Sequence, residues 1–380
     1  FLAAIMKVFQ TNWMIVVIQI ILGSVIPVFA KRIGQYILAN EKIALAVGIF
    51  FAIEPLLVDL SGVMLTQTLF LTIFFGSLIA LCKYLENEKF YHLAASAVLL
   101  GLATLTRPVT QYLWVFIVAF LFWRFRKKIS ARMIWQSVAF VAIILAILSP
   151  WLYRNAKIFG APALAVTKVT NLFGYFVPSI LALENNTSYT KSRDKFFQEE
   201  NVPDITVINL KNARHYEQRS WLKIKQHKVA AVKVIALTTV SFLTHDGYLG
   251  VAQDLGYLTD GAPSLPVFKI IQSPKLALQI TGKLIKSPGI VVVLGRIFWI
   301  ITTILAIAGA ILAIKNKGWQ NGTMLSLTII AYFILTTAIV GLGVTARYRQ
   351  PINIFIISFA FYAINRIRIR KNQLSQNKKI

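Results

Sequence analysis

The sequence predicts an all-α polytopic membrane protein, and two observations lead to that prediction. Nine apolar stretches, each close to the length needed to cross a bilayer, divide the 380 residues. The basic residues lie in alternate gaps between these stretches. Because lipid offers the backbone no hydrogen-bond partners, only helices and closed barrels span it, and continuous apolar runs favour helices.

The composition excludes several other classes of protein. With 57% hydrophobic residues, 14% charged residues and a mean hydropathy of +0.67, the chain is too apolar for a soluble domain. Its net charge of +26 would suggest nucleic acid in a soluble protein. In a membrane protein the same charge predicts loops that face anionic headgroups, so we expect membrane lipids and no nucleic acid as partners. The single Cys82 excludes a disulfide framework, and no pair of the four His has metal-ligand spacing.

The apolar stretches divide the chain into four regions. We expect six spans in 1–149, an external region with surface amphipathic helices in 150–290, three spans in 291–365 and a basic tail in 366–380. The predicted spans are 13–30, 43–60, 66–82, 93–106, 109–123, 133–149, 291–314, 323–343 and 351–365.

The distribution of basic residues predicts the orientation. One set of short gaps holds 18 Lys and Arg, whereas the other holds only Lys7, Arg107, Arg347 and Arg349. The positive-inside rule places the first set in the cytoplasm. Phe1 is then outside and Ile380 inside, which requires an odd number of crossings.

Two segments decide that number. Residues 93–123 have basic flanks on both sides, so we expect a hairpin that turns at Arg107-Pro108; this also removes an arginine from the bilayer centre. The stretch Lys228–Leu243 is apolar with Lys233 inside it. This pattern predicts either a tenth span or an amphipathic helix on the outer surface. We favour the surface helix because a tenth crossing would break the alternation downstream.

The arginines on the charge-poor face are candidate anion-binding residues. Arg347 and Arg349 open the last span beside Pro351, which suits a first helical turn, and a helix N-terminus attracts anions. Arg107 precedes Pro108, and Arg154 follows the sixth span. A planar guanidinium suits phosphate oxygens, but anchoring to the headgroup layer is the alternative for each.

Several carboxylates are weaker candidates. Glu54 and Asp59 lie near the outer end of the second span, where a functional role and a hydrogen-bonded structural role are both open. Asp246, Asp254 and Asp260 lie in the external region and could bind a cation or a sugar, although their spacing matches no known ion loop.

Four stretches in order resemble a known superfamily. They are Pro55 with Ser61–Phe70 (SGVMLTQTLF), Gly101–Pro108 (GLATLTRP), Pro150–Asn155 (PWLYRN) and Ala346–Pro351 (ARYRQP). They are similar to the GT-C membrane glycosyltransferases, above all to bacterial relatives of dolichyl-phosphate-mannose protein mannosyltransferases and aminoarabinose transferases. The resemblance covers about 50–365. Gln67 stands where the family usually has Glu, and Ala346 where it often has Glu or His.

The resemblance implies a GT-C-like bundle of about nine helices in a bacterial plasma membrane. It implies a hexosyl or pentosyl transferase that uses a polyprenyl-phosphate sugar donor and an external lipid, glycan or protein acceptor. Arg347 and Arg349, then Arg107 and Arg154, would bind the donor phosphate, with polar support from the following residues: Tyr348, Glu54, Asp59 and Gln67.

The resemblance also implies features that the residues here do not supply. The family's catalytic Asp lies in the first external loop, so we expect it upstream of Phe1 and expect this stretch alone to be inactive. Some relatives use a divalent metal, and no ligand cluster is visible in the sequence.

Two other functions stay open. A transporter or flippase for lipid-linked sugars would bind the same phosphates, although internal repeats and broken mid-membrane helices are not evident. A polymerase or ligase of surface polysaccharide would use a similar scaffold with another acceptor.

Overall fold

The computed structural model describes residues 2–127, 129–259 and 272–377. The regular structure of these residues is helical, with no β-strand among them, and the chain is an all-α polytopic membrane protein as predicted. It forms two compact units. The first comprises Phe1–Ile147, Phe298–Tyr332 and Gln350–Ile380, and the second Leu148–Ile297 and Phe333–Arg349.

The N-terminal part of the first unit is a series of packed helices. Helix α2 packs on α3 and α5, and α5 packs on α6. Their bounds are α1 Leu2–Phe9, α2 Asn12–Leu38, α3 Glu41–Ile53, α4 Pro55–Gly62, α5 Gln67–Asn87, α6 Phe90–Thr106, α7 Leu113–Phe125 and α8 Ala131–Phe159.

Local sequence explains where these helices start and bend. Thr11 and Asn40 cap α2 and α3, and the Asn40 Oδ1 accepts from the Ile43 N–H at 3.1 Å. Proline explains the break between α3 and α4, because Pro55 disfavours a helical conformation at Glu54. The two helices therefore meet at an angle of 48°.

The predicted break at Arg107-Pro108 is present. Helix α6 ends at Thr106, Arg107 is extended, and a 3₁₀ turn at Pro108–Thr110 follows before α7. That the chain turns back through the membrane at this point stays a prediction.

Helices of the second unit surround two apolar clusters. One contains Phe173, Val177 and Phe196, and the other contains Phe176, Ile180 and Val234. A π-helical turn, Leu172–Phe176, lies between the first two helices of the following set. The set comprises α9 Thr167–Asn171, α10 Val177–Glu184, α11 Tyr189–Glu199, α12 Ala213–Gln226, α13 Lys228–Thr244, α14 Tyr248–Asp254 and α15 Pro274–Ile285.

Three long helices complete the chain. They are α16 Ile290–Lys317, α17 Asn321–Thr337 and α18 Ala346–Asn377, with a 3₁₀ segment at Ala338–Gly343 before the last. In the first unit the backbone of α16 at Gly309 lies so close to α18 that an added Cβ would meet the Phe359 carbonyl oxygen at 1.9 Å. Only glycine permits this approach of the two helices.

Each predicted span corresponds to a helix, while the number of crossings stays a prediction. Among the described residues, seven helices are long and apolar enough to cross a membrane, or up to nine if each of two bent pairs counts as one span. The bent pair α3–α4 and the shorter α6 correspond to the predicted spans 43–60 and 93–106. The second bent pair, α12–α13, includes the possible tenth span.

Three expectations about helix ends and faces were wrong. The sixth helix does not end near Pro150 but continues to Phe159, because a single internal proline bends a helix without ending it, and Gly160 (φ 72°) ends it. Pro351 lies in the second turn of α18 rather than the first, because that helix already begins at Ala346. Helix α13 is not amphipathic, because valines and isoleucine occupy its exposed side as well.

The exposed side of α13 is therefore suited to lipid. Val229 is 72% and Val232 66% exposed, and Ile235 and Val240 are exposed too. The opposite side, with Ala230 and Val234, packs into the second unit. Lipid contact along this helix is compatible with either a surface location or a crossing.

Candidate functional site

The pair of arginines at the start of α18 differ in environment. Because α18 begins at Ala346, Arg347, Tyr348 and Arg349 lie in its first turn. Arg347 is exposed, Tyr348 is half-buried and Arg349 is fully buried. Residues two apart on a helix project in roughly opposite directions, so the two guanidinium groups have separate surroundings. Arg347 is the member of the pair that a ligand can reach.

Arg349 binds the C-terminal end of α13. Its Nη1 donates to the carbonyl oxygens of Leu243 at 2.7 Å and Phe242 at 3.2 Å. The last carbonyls of a helix lack intrahelical partners and form the negative end of its dipole, so a cation is favourable there. Arg349 thereby fixes the start of α18 to the end of α13 within the second unit.

A buried ion pair follows α13 directly. Asp246 is 1% exposed, and its Oδ2 accepts from the Tyr248 N–H at 3.0 Å. Its Oδ1 lies 3.4 Å from the Nε of Arg296, which is the distance of an ion pair rather than of an aligned hydrogen bond. At Gly295 an added Cβ would lie 2.3 Å from the Tyr248 ring, so this glycine permits the close approach.

Burial and nearby cations determine the protonation of this cluster. Burial, with the positive charges of Arg296 and Arg349, lowers the pKa of His245 to about 3, so the imidazole is neutral. Its Nδ1 accepts from the Gly247 N–H at 3.1 Å. Burial raises the pKa of Asp246, and the charge of Arg296 opposes that rise.

Sequence reasoning missed Arg296. It lies inside the predicted span 291–314 and is only 9% exposed. The desolvation argument that identified Arg107 applies equally to this arginine, so the signal was present. Asp246 is a candidate for binding a cation or a sugar in the sequence, and the structure places its carboxylate against Arg296. Asp254 is exposed, and Asp260 lies outside the described residues.

Arg107 lies in the first unit, half-buried at the break between α6 and α7. Its guanidinium carbon is 5.9 Å from the centroid of the Phe70 ring, within cation–π range. The hydroxyls of Thr104 and Thr110 hydrogen-bond across the same break at 2.9 Å. The turn at Thr106-Arg107-Pro108 therefore carries its arginine on a backbone that this hydrogen bond holds in place.

Glu54 forms structural hydrogen bonds in the first unit. It is 2% exposed, and its Oε2 accepts from the Leu57 N–H at 2.7 Å, which caps α4. The same oxygen accepts from Gln350 Nε2 at 3.3 Å, and Asn353 Nδ2 donates to Gln350 Oε1 at 3.2 Å. These bonds connect the bend after α3 with α18. Asp59 is half-buried and Gln67 is buried.

Arg154 lies within α8 in the second unit and is exposed. Its Nη1 donates to Asn155 Oδ1 at 2.9 Å, and its guanidinium lies 4.7 Å from the Trp151 ring centroid. Trp151 Nε1 in turn donates to the Leu164 carbonyl at 3.0 Å. This arrangement places the guanidinium over an indole ring at an exposed position.

Acidic, histidine and cysteine side chains are dispersed. Over the ranges that the structure describes, no three of them lie close enough together to hold a metal ion.

Together, the long apolar helices and the arginines near several of their ends are those of a polytopic membrane protein. Comparison with known proteins adds a family relationship for the N-terminal part of the chain. Residues 1–153 match the family model for dolichyl-phosphate-mannose-protein mannosyltransferase, which relates this part of the chain to the GT-C membrane glycosyltransferases. No curated protein and no solved structure matches the chain.

The matched region contains two of the four motifs that suggested the superfamily and most of a third. SGVMLTQTLF and GLATLTRP lie within it, and PWLYRN begins within it. The ARYRQP turn at Ala346–Pro351 lies beyond it. The relationship predicted from the sequence is therefore confirmed within residues 1–153, while the role of Arg347 and Arg349 stays a prediction.

Proposed function

We propose that this protein transfers a sugar from a polyprenyl-phosphate donor to an acceptor on the non-cytoplasmic face of a membrane. The observation that carries the proposal is the family match, whose description names a sugar linked to a lipid phosphate. That match supports a membrane glycosyltransferase of the GT-C type. We propose in addition that the donor is a polyprenyl phosphate and that the acceptor lies on the non-cytoplasmic face.

In this proposal Arg347 contacts the donor phosphate. Its side chain is exposed at a helix N-terminus, where backbone N–H groups also favour an anion. An acceptor hydroxyl attacks the anomeric carbon and gives its proton to a general base, the sugar–phosphate bond breaks, and the phosphate leaves with the bonding electrons. Arg347 stabilises the negative charge that grows on that phosphate, which is catalysis by electrostatic stabilisation.

Arg349 has a supporting role in the same proposal. Its hydrogen bonds to Phe242 and Leu243 hold the first turn of α18 in place, so that Arg347 keeps a fixed direction. Arg107 and Arg154 are the further donor-binding candidates. An aromatic ring lies within cation–π range of each guanidinium group, and a planar guanidinium suits phosphate oxygens.

A transfer assay with two donor classes tests the proposal. The protein at its full natural length would be reconstituted in sealed vesicles and given one radiolabelled sugar, linked either to polyprenyl phosphate or to a nucleotide. We expect transfer to membrane acceptors from the lipid-linked donor only. Transfer from the nucleotide sugar, or movement of the lipid-linked sugar across the bilayer without cleavage, would refute it.

A further inference from the structure

A cavity of about 740 Å³ in the first unit is lined by side chains that the proposed function does not use. It lies among helix ends: the last turn of α5, the end of α7, the start of α8 and the residues just before α17. These segments carry the basic residues that predict the cytoplasmic side. The residues that matter most here are Trp123, Arg124, Arg126, Lys127, Arg132 and Trp319.

The charge of the cavity favours an anion. Among the described residues, its lining contains four cationic side chains and one carboxylate, that of Glu88. A neighbouring set of helices in the same unit offers a comparison. A cavity of about 820 Å³ there has mixed charge, with Lys31, Arg32 and Lys83 alongside Glu41 and Glu86. A general excess of basic residues at helix ends therefore does not explain the imbalance in the first cavity.

Aromatic rings lie against two of the arginines that line the cavity. Arg124 lies 5.1 Å from the Phe125 ring centroid, and Arg126 lies 4.9 Å from that of Trp123. Arg124 is half-buried and Arg126 is exposed, and both line the cavity. A guanidinium carries five N–H donors, which suit the several oxygens of a phosphate.

We propose that this cavity binds the phosphate group of an anionic phospholipid. Guanidinium groups recognise phosphate oxygens, and basic pockets between membrane helices bind anionic headgroups. Two tryptophans, one of them Trp319 at 60% exposure, suit the level of the headgroups. The cavity lining also includes Tyr84 and Gln136, whose side chains form a buried hydrogen bond of 2.7 Å. A soluble phosphate has the same chemistry, so the test must separate the two sources.

Lipid retention measured by native mass spectrometry tests the proposal without any sugar donor. The purified full-length protein would be exchanged into micelles that contain equal amounts of phosphatidylglycerol and phosphatidylcholine. We expect preferential retention of phosphatidylglycerol. Because each cation near a membrane surface strengthens anionic lipid binding about fivefold, Arg124→Gln and Arg126→Gln should each lower retention by about that factor. Arg124→Lys, which keeps the positive charge, should lower the retention of phosphatidylglycerol less than Arg124→Gln does.

Lys31→Gln in the mixed-charge cavity is the matched control and should retain phosphatidylglycerol as the unmodified protein does. Equal loss in this control, or equal retention of the two lipids, would overturn the proposal. Competition by inorganic phosphate at low millimolar concentration would overturn the lipid assignment in favour of a soluble phosphate. Because no sugar transfer is measured, failure here would leave the proposed transferase function intact.

Discussion

At the residue scale, buried charge distinguishes the second unit. Asp246, Arg296 and Arg349 are all at least nine-tenths buried, beside a neutral His245. Charges in such a place persist only when they are paired or bonded to carbonyls. The cluster fixes α13, α14 and α16 within the unit that also holds Arg347.

Removing one charge of the buried pair should destabilise the protein more than removing both. Asp246→Asn leaves Arg296 without its counter-charge, so we expect a loss of about 3 kcal/mol. The double variant Asp246→Asn with Arg296→Met should recover much of that loss. Thermal unfolding in mild detergent would measure both. Additive losses in the double variant would show that the two groups are not coupled.

His245 should make stability depend on pH. Its pKa is lowered to about 3 in the folded protein, whereas the unfolded chain has an ordinary histidine pKa near 6.5. The unfolded state therefore binds more protons between these values, and stability should fall as the pH drops below 6.5.

The expected loss between pH 6.5 and pH 5 is up to about 2 kcal/mol, at 1.36 kcal/mol for each pH unit. Melting temperatures of the protein and of His245→Gln over this range would measure it. The variant should show a flatter profile. Identical profiles would contradict the assignment of the pH dependence to His245.

At the element scale, the 3₁₀ segment Ala338–Gly343 precedes the turn that carries Arg347. The Ser179 Oγ accepts from the Leu342 N–H at 3.0 Å, and α13 and the π-helical turn pack on the segment. Gly341 has φ +62°, and an added Cβ would lie 2.7 Å from the Ser179 Oγ and 3.0 Å from the Phe176 Cα. Both the backbone conformation and the space require glycine.

Gly341→Ala should therefore destabilise the protein by more than about 1 kcal/mol. Gly250→Ala is a suitable control, because Gly250 lies in α14 with nothing within 4 Å of an added Cβ. This control should be neutral or slightly stabilising, since alanine is the better helix former. Equal melting temperatures for the two variants would show that the segment tolerates a side chain.

At the scale of the whole molecule, the predicted orientation can be tested by labelling. Cys82 is buried and unique, so Cys82→Ala gives a background without cysteine. Lys191 lies in the predicted external region and Lys89 in a predicted cytoplasmic gap, and both are exposed. In this background Lys191→Cys should react with an impermeant maleimide on intact cells, and Lys89→Cys only after permeabilisation. Reaction of Lys89→Cys on intact cells would contradict the orientation.

The sequence predicted the helices well because their signal is local. Apolar length located a helix for each predicted span, and the Arg107-Pro108 break follows from steric restriction of the residue before proline. Pro150 and Pro351 were misread because a helix tolerates an internal proline where neighbouring contacts compensate for the lost hydrogen bond. The sequence alone did not distinguish these cases.

Pairings over long sequence distances were beyond sequence reasoning. The bonds of Arg349 to Phe242 and Leu243, and the approach of Asp246 to Arg296, depend on how helices pack in the second unit. The lone Arg296 in a predicted span was a usable signal, but its partner was not predictable. The cavity beside Arg124 likewise arises from helix ends far apart in the chain.

Donor binding by Arg347 is the most direct test of the proposed function. The affinity of a polyprenyl-phosphate sugar for the full-length protein in nanodiscs would be compared with that for Arg347→Ala and for Arg214→Ala, an exposed arginine of the same unit. Loss of a charged hydrogen bond should raise the Kd of Arg347→Ala about ten- to hundredfold, with Arg214→Ala unchanged. Equal affinity in all three proteins would contradict the role of Arg347 in holding the donor phosphate.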